Sequence, residues 1–250
     1  MNGHCKTAKT IPFAIFVIAS VVATAPAAHA IETCMGRTAT MTGTAGDDII
    51  AGSPGDDVIA ALGGQDVIQG GLGNDVICGG DGNDRVIGSF GNDELSGDLG
   101  VDRVSGGDGN DVLVGSFGAD ELFGGNGRDH LNGGQGADLL RGGDASDLIE
   151  GGGDRDFLRG GSNSDDIYGG EGVDRIVGGG GADRVFGGSD HDRLVGRSGN
   201  DDLWGEEGND QLLGGGGRDR LNGGLGFDRC NGGLGLHDSA TACEVTRRVP

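Results

Sequence analysis

A large aliphatic residue returns at every ninth position along most of this chain. The column reads Ile50, Ile59, Ile68, Ile77, Val86, Leu95 and so on to Leu221, and Cys230 ends it. Ile, Val or Leu fills twenty of its twenty-one places. The flanking columns hold residues such as Arg85, Glu94 and Arg103 on one side and Gln69, Ser96 and Arg141 on the other. Only the middle residue can face inward, which is the alternation of a short, half-buried strand. A strict period of nine is too short for a helical repeat and too regular for disorder, so one small unit is stacked many times.

Two residues before each aliphatic stands an aspartate, from Asp48 to Asp228 without a slip of register. The surrounding pattern is G-G-x-G-x-D-x-U-x, where U is the aliphatic residue. Gly79-Gly80-Asp81-Gly82-Asn83-Asp84-Arg85-Val86-Ile87 shows it in full. Carboxylates stacked at a fixed spacing repel one another, so something positive must sit between them. Glycine suits such turns because they need backbone at positive φ and a close approach to an ion.

Over about three quarters of the chain the pattern resembles the RTX, or haemolysin-type calcium-binding, nonapeptide repeat. The resemblance implies an all-β fold, a right-handed parallel β-roll (a β-solenoid) with two nonapeptides per coil. In that family G-G-x-G-x-D forms the turn and x-U-x the strand. Calcium sits between neighbouring turns, held by Asp carboxylates and backbone carbonyls.

Nine repeats keep all three glycines, and their aspartates are expected to make the best sites: Asp75, Asp84, Asp111, Asp129, Asp138, Asp174, Asp183, Asp219 and Asp228. Weaker sites are expected at Asp48, Asp57, Asp66, Asp93, Asp102, Asp120, Asp147, Asp156, Asp165, Asp192, Asp201 and Asp210. Thr44, Ser53, Leu62, Arg197 and Glu206 replace the second glycine. Ala145, Asp154 and Asn163 replace the third in consecutive repeats, and Asp190 does so later. Asn and Asp tolerate left-handed backbone whereas Ala does so poorly, which makes 145–165 the expected soft spot. Asp154 and Asp190 read as tolerated substitutions, with an added ligand as the alternative.

Gly accounts for 59 of 250 residues and aromatics for 4%, so no ordinary globular core is available. One buried aliphatic is worth about 1.5–3 kcal/mol. Ordering nine residues costs about 1–2 kcal/mol each in backbone entropy. Ladder hydrogen bonds and bound ions must supply the difference. The net charge of −22 becomes −24 once Lys6 and Lys9 are removed with a leader, and such a chain repels itself into an expanded coil. It is expected to be unfolded without calcium and folded with it. The repeats divide between two sides as eleven and ten, leaving at most nineteen gaps between same-side neighbours. About twelve divalent ions would neutralise the charge, so occupancy below nineteen is expected.

Residues 1–30 read as a signal peptide. Lys6 and Lys9 precede an apolar run from Ile11 to Ala25, and Ala28-His29-Ala30 fits a cleavage site. The run is short for a transmembrane helix. The reading is a secreted protein, at the cell surface or in the extracellular space. Residues 31–42 then form an N-terminal cap, 43–231 the roll and 232–250 a C-terminal cap or tail. Four cysteines remain after the leader and allow three connectivities, with free thiols as a further alternative. The expected pairs are Cys34–Cys78 and Cys230–Cys243, each fastening a cap over an open end.

Residues eighteen apart fall on adjacent strands, about 4.8 Å away. Read in that way, Asp166, Arg184, Asp202 and Arg220 make an alternating charge ladder. Beside it Tyr168, Phe186 and Trp204 make an aromatic stripe, and Val177, Val195 and Leu213 hold the matching column of the opposite sheet. The stripe is either cross-strand stabilisation or a contact surface for a cell-surface glycan or protein.

An enzyme is not expected. Few residues lie outside the array, H-E-x-x-H and G-x-S-x-G are absent, no Lys follows the leader, and His130, His191 and His237 stand alone. The negative charge disfavours nucleic acid. Ice binding wants a regular outward row of Thr or Asn, and the turn row Leu72, Asp81, Phe90, Leu99, Asp108, Phe117, Asn126 is irregular. The resemblance points to the stand-alone secreted bacterial calcium-binding type. Its expected role is a rigid surface, matrix or adhesion element. The alternatives are a calcium buffer without a partner or the non-catalytic part of an RTX enzyme or toxin.

Overall fold

Each repeat forms one strand in the computed structural model, which describes residues 33–234 and 237–248. The leader expected over 1–30, with its cleavage site, lies outside the described residues. Most strands are six residues long, such as Arg85–Phe90 and Glu94–Leu99. They extend past the x-U-x core because the second glycine position and the residue after it still pair with the neighbouring coil, as Gly107 does with Ser89 and Asp108 with Phe90. The turn between strands is therefore three residues rather than the six that the repeat suggests.

Successive strands alternate between two parallel sheets of twelve strands each. Every strand pairs with the one two repeats on, at a spacing of eighteen residues: Arg85 with Arg103, Val86 with Val104, Ile87 with Ser105. The sheets meet across the aliphatic column, which is at most 2% exposed from Ile59 to Cys230. Twelve strands at about 4.8 Å make a β-roll roughly 50 Å long. The ladders run on beyond the regular repeats. Met41–Thr42 pairs with the strand at Ile59, and Ser239–Thr241 pairs with the strand at Leu221. Met41 and Ala240 pack against the core because they carry the aliphatic column outward at its two ends.

The two disulfides are Cys34–Cys78 and Cys230–Cys243, with Cα separations of 5.6 and 5.9 Å. They lie near the two ends of the roll, in different settings. Cys34 sits on a hairpin, Thr33–Cys34 with Arg37–Thr38, that packs with Ala60 and Val76. Those residues face outward, so the hairpin is clipped to the outside of one sheet. Arg37 reaches one strand further, to Glu94 at 2.6 Å. Cys243 does pack against the core, beside the terminal Cys230.

On the same sheet the rings of Tyr168, Phe186 and Trp204 stack at 4.9 and 4.5 Å between centroids, 3° from parallel. The charge ladder beside them resolves into two pairs, Arg184 with Asp166 and Arg220 with Asp202. The stacked rings stabilise the sheet across its strands by about 0.2–1 kcal/mol per pair.

Candidate metal centres

The turns bring the aspartates into two columns. Within each, the backbone N–H of one Asp donates to Oδ1 of the Asp eighteen residues later: Asp75 to Asp93 at 2.8 Å, Asp93 to Asp111 at 2.9 Å, Asp111 to Asp129 at 2.9 Å. The carbonyl of each Asp accepts from the strand that follows, as Arg85 N–H donates to Asp66 at 2.8 Å. One oxygen is left over. From Asp66 to Asp228, nineteen Oδ2 atoms are buried and have no hydrogen-bond partner. A buried polar atom without a partner is rare, because it forfeits its hydration and gets nothing back.

Eighteen of these oxygens lie against the first glycine of their own turn, and at Asp66 that position is Ala61. A Cβ on Gly115 would sit 2.5 Å from Asp120 Oδ2 and 2.5 Å from the carbonyl oxygen of Gly133, in the next coil. Gly151 repeats this with Asp156 Oδ2 at 2.5 Å and the Gly169 carbonyl at 2.6 Å. A carboxylate oxygen and a backbone carbonyl from neighbouring coils thus converge on a space that only glycine leaves open. The first glycine is kept for that space and has no left-handed φ, whereas the third, such as Gly82 at +139°, is kept both for its backbone angle and because a Cβ would strike the Gly64 carbonyl. Where other residues replace the third glycine, φ moves into the left-handed well: Ala145 +79°, Asp154 +73°, Asn163 +71°, Asp190 +78°. The Asp154 and Asp190 residues are exposed at those turns and join no carboxylate column.

Burial holds the column carboxyls well above the usual carboxylate range, and their stacked neighbours add to the rise against the lowering effect of the N–H bond. Asp93 is pushed up to about 6, Asp102, Asp129 and Asp138 to about 7, and Asp156 and Asp165 to about 8. Without a cation these groups resist ionisation. Calcium takes carboxylate and carbonyl oxygens together, and those are the two donor kinds the cradle offers. Among the described residues no three acidic, His or Cys side chains cluster, so a bound ion needs backbone carbonyls in its shell. The residues fit calcium on that count.

The structure sorts the twenty-one expected aspartates differently from the glycine count. Nineteen share one arrangement, whether their repeat keeps three glycines, two or, at Asp66, one. Asp48 and Asp57 stand apart. Thr44 N–H reaches Asp48 Oδ2 at 2.6 Å, and Ser53 N–H reaches Asp57 Oδ2 at 2.6 Å, so neither leaves its Oδ2 free. Two further acids join the columns. Asp219 N–H donates to Asp238 Oδ1 at 3.0 Å, and Asp228 N–H donates to Glu244. The signal for Asp238 was in the sequence: Gly232-Gly233-Leu234-Gly235-Leu236-His237-Asp238 is the repeat lengthened by one residue. Glu244 carries no such signature. The residue before each Asp also has an unforeseen role. Asn74, Asn83, Asn92 and Asn110 accept N–H groups from the next coil at 2.7–2.8 Å, which ties the turns along the axis. His130 lies 3.3 Å from Glu150, and His191 accepts from Asn209 N–H at 3.0 Å; neither joins the carboxylate columns.

The family model of the RTX calcium-binding nonapeptide repeat matches residues 42–77, 79–113, 105–140, 141–176, 159–194, 168–203 and 195–230. Among curated proteins none matches this sequence significantly. A solved structure described as a hyperactive, Ca2+-dependent, beta-helical antifreeze protein from an Antarctic bacterium is similar at 18% identity and a TM-score of 0.46. The alignment covers 81% of this chain and 82% of that one. With the repeat matched from residue 42 to residue 230 and the carboxylate columns in place, this chain belongs to the RTX calcium-binding nonapeptide repeat family.

Proposed function

We propose that this protein is exported without metal and folds outside the cell when calcium enters the turns, giving a non-catalytic rod for a surface, matrix or adhesive role. The observation that carries this reading is the set of nineteen buried carboxylate oxygens without a partner. Asp66 through Asp228, with the carbonyls of the glycine cradles, would hold the ions. Bound calcium supplies the positive charge that lets the stacked carboxyls ionise inside the fold. The leader and the two disulfides support export into an oxidising space. Extracellular modules bind calcium at roughly 10⁻⁴–10⁻³ M, so the cytosolic concentration leaves the chain unfolded. Occupancy stays below nineteen because about twelve divalent ions already balance the exported charge.

The test is circular dichroism of the chain from Ile31 during a calcium titration, with magnesium as control. A cooperative gain of strand signal at roughly 10⁻⁴–10⁻³ M calcium, absent with magnesium, is the expected result. A chain fully folded in chelator, binding calcium without a change of signal, would leave a calcium buffer and overturn the folding switch.

A further inference from the structure

The outward columns of the two sheets differ in charge, although the protein as a whole is acidic. The sheet with the aromatic stack presents Glu94, Glu150, Asp166 and Asp202 against Arg184 and Arg220. The opposite sheet presents Arg85, Arg103, Arg141, Arg159, Arg175, Arg193 and Arg229, all exposed, against the single carboxylate Glu121. Three of its register pairs set arginine directly beside arginine: Arg85 with Arg103, Arg141 with Arg159, Arg175 with Arg193. Like charges opposite one another destabilise a sheet. Only Arg103 finds a carboxylate among the described residues, at Glu121. Phe rings take up part of the rest: Arg103 and Arg141 lie 4.5 and 5.6 Å from the Phe123 ring centre, and Arg175 lies 5.3 Å from that of Phe157. Stacking on a ring orients a guanidinium but leaves its charge uncompensated.

We propose that this face binds an acidic polysaccharide, a linear chain of sugars bearing carboxylate or sulfate groups, laid along the roll axis. The shape argues for that class. Arginine-bearing positions form two columns about 7 Å apart and run roughly 40 Å from the Arg85 strand to the Arg229 strand. Both long edges of the strip are the acidic turns. A nucleic-acid duplex, with one negative charge per about 1.7 Å and a far greater width, would overhang those edges. A single extended sugar chain fits between them. Arginine pairs carboxylate and sulfate oxygens with two parallel N–H donors, and the interleaved Phe123 and Phe157 offer apolar faces to sugar rings.

The inference rests on the calcium-folded roll: adjacent Arg pairs exist only once the register is set, and calcium in the turns lifts the negative field at the edges. Calcium and polysaccharide binding are therefore linked.

The experiment measures binding of chondroitin sulfate and hyaluronan oligosaccharides by calorimetry in 2 mM calcium (about twice the top of the extracellular range), with neutral dextran as control. Each sample is first checked for strand signal, so that failure to fold is read separately from failure to bind. The expected results are binding of the acidic chains alone, weakening as salt rises, and loss of at least tenfold in affinity in the folded variant R141S/R159S. R184S/R220S, on the other sheet, should bind unchanged. Equal binding of dextran, or undiminished binding by folded R141S/R159S, overturns the proposal. So does preferential binding of duplex DNA. Self-association abolished by R141S/R159S, without glycan binding, would instead make the acidic turns of a second copy the partner.

Discussion

Asp57 and Asp75 stand one coil apart in the same column and differ in what their Oδ2 atoms accept. Asp57 Oδ2 takes the N–H of Ser53, four residues earlier, at 2.6 Å. Asp75 Oδ2 is fully buried and takes nothing. The cause is position. Asp48 and Asp57 are the first of their columns, with no aspartate eighteen residues before them, and their turns carry no left-handed backbone. Such a turn folds inward and satisfies its own carboxylate. From Leu62, at φ +79°, the turns open against the coil below and the local N–H no longer reaches. Stacking thus creates the free oxygen, which is found only in turns with an aspartate eighteen residues before them. A self-satisfied turn needs no ion, whereas a stacked one does.

The largest break of this contrast is removal of calcium. In chelator at pH 7.5 the stacked turns are expected to lose their strand signal entirely, read by circular dichroism. Acid should restore part of it. Burial pushes Asp93 up to about 6 and Asp156 and Asp165 up to about 8, above the ordinary aspartate range. A raised folded value means stability fully present below about 4 and lost as pH rises through 6 to 8. The metal-free chain should therefore gain strand signal between pH 8 and pH 4, and a fall over that window would contradict the burial of these groups.

Next in size come glycine substitutions at equivalent positions of the two regions. Gly73 has φ +120° and a Cβ there would lie 2.6 Å from the backbone of Gly55, whereas a Cβ on Gly55 meets nothing nearer than 4.0 Å. Gly73→Ala is expected to cost about 2–3 kcal/mol in thermal melts with calcium, from overlap and strain together. Gly55→Ala should stay within about 0.5 kcal/mol.

Asp75→Asn and Asp57→Asn separate the carboxylates themselves. The first should raise the calcium midpoint of folding several-fold, because it removes an ion-facing oxygen's charge. The second should move the midpoint less than twofold, and equal shifts would place Asp57 among the ligands. The smallest effect lies in the soft stretch. Ala145 is held at φ +79°, and Ala145→Gly is expected to stabilise by about 1 kcal/mol, seen as a higher melting temperature in calcium.

The strands and their pairing were readable because each repeat carries one unambiguous inward residue, and period nine leaves a single register. Ile59 and Leu203 are buried where the pattern places them. The aspartate columns follow from the same period, and the close Cys34–Cys78 and Cys230–Cys243 pairs fit positions near the two ends. Local pattern failed where a neighbouring coil decides the outcome. The repeat around Asp57 looks no poorer than that around Asp93, since each lacks only the second glycine. Their carboxylates nevertheless differ, because a coil lies beneath one turn and not the other. The outward placement of the Cys34 hairpin, the recruitment of Asp238 and Glu244, and the gathering of seven arginines on one face share that origin. Sequence by itself determined the unit, its period and its inward residue, all set by hydrophobic alternation within nine residues. Only the stack decided which oxygens lack a partner and which charges become neighbours, because residues eighteen apart meet only after the roll has formed.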